Sequence, residues 1–80
     1  MSDYGSLYLI ESTYNPERGA TELVFGYIAK EKDVEGRNMK IRAIVNVKGG
    51  GEGVESVLEE GLKKARAVLK SASKASYEKD

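Results

Sequence analysis

The sequence predicts an α+β fold: a three-stranded antiparallel β-meander followed by one C-terminal α-helix packed on one face of the sheet, β-β-β-α in order. Three observations carry this. Residues 38–48 alternate apolar and polar side chains, the period of a half-buried strand. Two earlier apolar stretches are separated by short, charged, Gly-containing segments, which read as hairpin loops. After a Gly-rich break, apolar residues recur every three or four positions, the period of an amphipathic helix.

The first strand is expected at about residues 6–14, Ser-Leu-Tyr-Leu-Ile-Glu-Ser-Thr-Tyr, where Tyr, Ile and Thr favour a pleated surface. Asn15-Pro16-Glu17-Arg18-Gly19-Ala20 follows as a turn, with Asn-Pro to start it and Gly19 free to take positive φ. The second strand is expected at about 21–31, with Leu23, Phe25, Tyr27 and Ala29 on one face and Glu22, Val24, Gly26, Ile28 and Lys30 on the other. Gly26, inside the strand, marks a bulge or a place where a large neighbouring side chain crosses. Lys32 to Arg37 form the second turn. In the third strand, about 38–48, Met39, Ile41, Ala43, Val45 and Val47 face one way, while Lys40, Arg42, Ile44, Asn46 and Lys48 face the other.

Gly49-Gly50-Gly51-Glu52-Gly53 ends that strand, and the helix is expected over about 54–73. Its stripe is Val54, Val57, Leu58, Gly61, Leu62, Ala65, Val68, Leu69 and Ala72. Gly61 lies mid-stripe at a cost of about 1 kcal/mol against Ala, which a close helix–sheet approach would explain. The tail, 74–80, is expected to fray. Short loops imply strand order 1-2-3. The expected core joins the helix stripe to Met39, Ile41, Ala43, Val45 and Val47, to Leu23, Phe25 and Tyr27, and to Leu7 and Leu9.

Eighty residues make at most one domain, and a core this small leaves room for added burial by a dimer. Thirteen basic and 13 acidic residues balance, so bulk charge does not mark a general polyanion binder. Residues 1–37 carry 4 basic and 7 acidic groups, a net of −3, and residues 38–80 carry 9 and 6, a net of +3. Much of that asymmetry lies in the helix. Glu52, Glu55, Glu59 and Glu60 stand near its start and Lys63, Lys64, Arg66, Lys70 and Lys74 near its end, the order its macrodipole favours. With no Cys and no His, the chain lacks a thiolate nucleophile, the commonest general base and the commonest metal ligands, and neither a cofactor nor a metal is expected. Carboxylates are plentiful, but none falls inside an apolar run that would bury it. Ser6, Ser12 and Ser56 have no His to activate them and no nucleophile elbow. An enzyme is therefore not expected. No apolar run of membrane-spanning length exists, residues 1–6 do not read as a signal peptide, and a cytoplasmic protein is the expectation.

The Gly49–Gly53 loop before a helix could in principle hold an anion, but no phosphate-loop or dinucleotide spacing is present, and Glu52 and Glu55 would repel one. A connector swinging the helix over the sheet is the simpler reading. The uncovered face of the sheet is the stronger candidate. It is expected to carry Tyr8, Ile10, Val24, Ile28 and Ile44, and by alternation Tyr14, with Lys30, Lys40, Arg42 and Lys48 around them. That is more apolar than an ordinary solvated face. The expected contact residues are Tyr8, Ile10, Val24, Ile28, Lys40, Arg42 and Ile44.

In topology, the β-β-β-α order over residues 6–73 resembles the double-stranded-RNA-binding domain. That family has a leading helix and a Lys-Lys pair at the start of its last helix. Here no helix is read ahead of the first strand, and Glu52 and Glu55 stand at the helix start, so no RNA-binding residue is carried over.

The expectation is thus a small non-catalytic binding module acting by protein–protein contact, with a homodimer through the uncovered face as one form. An inhibitor of a larger machine, such as a viral or phage anti-defence protein, is one use. The alternative is nucleic-acid binding, with Tyr8 and Tyr14 stacking on bases and Lys40, Arg42 and Lys48 on phosphates.

Overall fold

The computed structural model describes residues 5–77. Three strands, β1 (Ser6–Asn15), β2 (Ala20–Lys32) and β3 (Asn38–Lys48), precede one helix, α1 (Glu55–Lys74). The strands form one antiparallel sheet in the order β1-β2-β3, so the fold is the β-β-β-α arrangement that the alternation and the helical stripe predict. The helix outruns the expected end by one residue, and Ala75 beyond it is extended. The last residues of the expected tail, 78–80, and the start of the chain, 1–4, lie outside the described residues.

Local chemistry closes both hairpins. Asn15 Oδ1 accepts a bond from Glu17 N at 3.0 Å, and Asn15 O accepts one from Arg18 N at 3.2 Å. In the second turn Asp33 Oδ1 accepts from Glu35 N at 2.8 Å and Arg37 N at 3.0 Å, the Asx-type bond that makes Asp a turn former. Arg37 also pairs with the carboxylates of Asp33 and Glu35.

The pairing registers fix which residues share a face, because residues directly opposite in an antiparallel pair point the same way. Across the helix-covered face run the rows Leu7–Tyr27–Ile41, Leu9–Phe25–Ala43, Ser12–Leu23–Val45 and Tyr14–Thr21–Val47. Leu23, Phe25, Ala43, Val45 and Val47 are buried there against Val57 and Ala65 of α1. Burying each large side chain of this set contributes about 1.5–3 kcal/mol. Gly61 lies directly over Leu23, with the Phe25 ring 3.5 Å from where its Cβ would stand. The missing side chain is what lets helix and sheet approach so closely.

Two expectations need correcting. Met39 and Ile41, expected in the core, are both 46% exposed. Met39 sits where the β2–β3 register shifts, between Ile28 and Lys32 of β2, so regular pairing ends there; for Ile41 the reason is the path of α1. Val57, Gly61 and Ala65 are buried, but Val68, on the same side of the helix one turn on, is 47% exposed. A helix over a twisted sheet keeps full contact along only part of its length: Leu69 still packs against the core, but it and Ile41 line an open groove rather than a closed contact.

The second correction concerns β1. Its register slips between Leu9 and Glu11, so Ile10 is an extra residue opposite β2, a β-bulge. Beyond the bulge, simple alternation is inverted. Tyr14 pairs with Thr21 on the helix side rather than lying on the open face, and its hydroxyl packs 3.1 Å from the Cβ position of Gly51.

Candidate functional site

The open face is built from the other set of rows: Ser6–Ile28–Lys40, Tyr8–Gly26–Arg42, Glu11–Val24–Ile44 and Thr13–Glu22–Asn46. All seven residues expected at the contact surface, Tyr8, Ile10, Val24, Ile28, Lys40, Arg42 and Ile44, therefore lie on one side of the sheet. Ile10 joins them through the bulge, its Cδ1 atom reaching 2.9 Å from the Cβ position of Gly26. The Tyr8 ring covers the same glycine, with Cζ at 2.6 Å from that position. Gly26 is thus a gap in β2 filled from β1, the second of the two roles its place in the strand predicts. Filling that gap draws Tyr8 and Ile10 together over the middle of the sheet.

Ile44 is 61% exposed, Tyr8 41% and Ile10 40%, while Val24 and Ile28 are half-buried beside them. Lys40 and Arg42 are exposed along β3, at one lateral edge of the patch. Glu11 is exposed on β1, at the opposite edge. Sequence reading missed Glu11 and Thr13 as members of this face, because only the bulge puts them there.

The other candidates have structural accounts. Gly49 N donates to Gly19 O at 2.7 Å, and the buried Thr21 Oγ1 donates to Gly49 O at 2.8 Å, so the Gly-rich loop is pinned to the first hairpin. Gly50 has φ +100° and lies against Thr21 so closely that a Cβ would overlap its hydroxyl. These glycines are needed for chain path and contact. Glu59, Glu60, Lys63 and Lys64 share an exposed strip of α1 with Ser56 and Ala67. Among the described residues, no group of three His, Cys, Asp or Glu is placed to hold a metal ion. No helix among them is long and apolar enough to cross a membrane.

One feature of the helix side was not anticipated. Where contact between α1 and the sheet opens, Tyr27, Ile41, Leu69, Ala72 and Ser73 line an open groove of about 700 Å³ with Lys70 at its rim. The alternation of β3 hid it, since the same alternation implied that Ile41 was covered.

Comparison with protein-family models, with curated proteins and with solved structures returned no match.

Proposed function

We propose that this chain is a small non-catalytic binding module that works by protein–protein contact through the open face of its sheet, in a cytoplasmic setting. The observation that supports this reading is the face itself. Tyr8, Ile10, Val24, Ile28 and Ile44 are contiguous across all three strands, and Arg42 and Lys40 border them. Aromatic and Arg side chains beside an apolar centre are the composition of binding hot spots. An inhibitor or adaptor of a larger assembly needs only such a face on a stable scaffold.

The test is the double variant Ile28→Lys/Ile44→Lys. Both side chains lie on the open face, Ile44 exposed and Ile28 half-buried, and circular dichroism checks that the variant keeps the fold. Used as bait in the native cell extract, it should lose proteins, the chain's own copies included, that the wild type retains. Identical sets of retained proteins from a folded variant would refute the reading. The nucleic-acid alternative has its own outcome: a salt-sensitive mobility shift with short RNA or DNA, lost on Arg42→Glu, would replace protein contact with phosphate contact.

A further inference from the structure

We propose that the outer edge of β3 takes up an extended segment of another protein as a fourth strand, and that this segment carries acidic side chains at every second position. Those side chains would lie on the open face, so the proposal rests on the reading of that face as a protein-contact surface and adds the partner's chemistry and the way it is held.

The order β1-β2-β3 leaves β3 at an edge of the sheet. One bond settles which of its backbone groups point outward. Gly49 N donates to Gly19 O at 2.7 Å, and this pair continues the register that sets Ala20 opposite Lys48. Hydrogen-bonded and non-bonded pairs alternate along an antiparallel ladder. Ile41, Ala43, Val45 and Val47 therefore turn their N–H and C=O groups to β2. Lys40, Arg42, Ile44, Asn46 and Lys48 turn theirs away from it, with no strand beside them. A fourth strand would bond to these five residues.

The two edges of the sheet are not equivalent. β1 is broken by the bulge at Ile10, a device that blunts an edge. β3 pairs with β2 without a slip from Lys48 to Lys40, so its edge is regular over that stretch.

Charge selects the occupant. The five outward residues place their side chains on the open face, and Lys40, Arg42 and Lys48 are cations. All three are exposed, and none pairs with a carboxylate among the described residues. β3 itself has no acidic residue. Pairing it with the β3 of a second copy would gather three cations from each strand on one surface, where like charges destabilise the pair. Lysines on an edge strand serve to reject such self-pairing. The same row of cations accepts a strand with carboxylates opposite it. On the helix side of β3, Met39 and Ile41 are 46% exposed, so the positions between the carboxylates would be apolar. In strand addition of this kind, main-chain bonds supply affinity and alternate side chains supply specificity.

The probe is a ten-residue peptide alternating Glu with Val or Thr, read by amide hydrogen exchange in NMR spectra of the whole chain. Bound peptide should slow exchange at Arg42, Ile44 and Asn46 by about tenfold or more, while Val45 and Val47, already bonded to β2, change little. The same peptide with Lys in place of Glu should bind about tenfold more weakly or worse. Asn46→Pro removes one outward N–H and leaves the cations, Ile28 and Ile44 in place. Proline is tolerated at such an edge position, and this variant, checked by circular dichroism, should bind the Glu peptide about tenfold more weakly. Asn46→Thr keeps the N–H and should bind as the wild type does.

No binding of the Glu peptide, or equal binding of the Glu and Lys peptides, overturns the proposal. Binding that leaves exchange at Arg42, Ile44 and Asn46 unchanged, or that a folded Asn46→Pro variant retains in full, puts the peptide elsewhere than at the edge and overturns it too. Each of these results leaves the open face itself to the Ile28/Ile44 experiment, which decides that reading separately.

Discussion

Gly50→Ala is the most demanding probe of how the sheet is joined to its helix. The residue has φ +100°, so an L side chain there carries backbone strain of about 1–3 kcal/mol. The new Cβ would also overlap Thr21 Oγ1 and lie 3.0 Å from Thr21 Cβ. Thr21 is 2% exposed and β-branched, so it cannot swing away, and relieving the crowding costs about 1–3 kcal/mol. Displacing its hydroxyl also breaks the 2.8 Å bond to Gly49 O, worth about 0.5–1.5 kcal/mol. Gly53→Ala supplies the control. Gly53 has φ +128° but nothing within 4 Å of its Cβ position, so it carries the backbone strain alone. Urea unfolding with a common m value should place Gly50→Ala about 2 kcal/mol or more below Gly53→Ala. In a Thr21→Ala background the gap should narrow, because the overlapping hydroxyl is gone. If the two glycine variants are equally stable, or if Thr21→Ala leaves the gap unchanged, the Thr21 contact does not hold the loop and the reasoning fails.

Two further predictions concern the helix side. Gly61→Ala should forgo the roughly 1 kcal/mol that Ala normally adds to a helix, because its methyl would overlap Leu23 Cδ1 in the core. A variant stabilised by that amount in thermal unfolding would mean the helix rides higher than described. Leu23→Ala should cost about 2–5 kcal/mol, whereas Ile41→Ala, at a half-exposed position, should cost less than about 1.5 kcal/mol. Equal losses in chemical denaturation would put Ile41 back in the core.

Much of the fold was legible because its signals are local. The 38–48 alternation, the Gly-rich break and the helical stripe each depend on residues within a few positions of one another. Gly61 was legible for a related reason: a residue that weakens a helix in the middle of its apolar stripe needs a packing cause, and Leu23 supplies it. The reach of the helix was not legible. Alternation says that Met39 and Ile41 share a face with Val45 and Val47, but not how far a straight helix stays in contact with that face. The facing of β1 was not legible either. Leu7, Tyr8, Leu9 and Ile10 are all apolar, so no polar residue marks which side is which, and the slip at Ile10 is decided by pairing with β2. Alternation remained correct for Tyr8, ahead of the slip, and failed for Tyr14, after it.

The slip in β1 shapes the middle of the open face. With unbroken alternation from Leu9, Glu11 and Thr13 would fall on the helix side and Ser12 and Tyr14 on the open side. The face would then be aromatic along β1 and basic along β3, a pattern suited to stacked bases and phosphates. The bulge reverses this. It sends Tyr14 to cover Gly51, keeps Ile10 over Gly26, and sets Glu11 beside Val24 at the edge opposite Arg42. The result is an apolar centre with opposite charges on its two lateral edges, which a polyanion matches on one edge only. That mixture of an apolar centre and edges of unlike charge is the physical ground for proposing a protein rather than a nucleic acid as the partner of this surface.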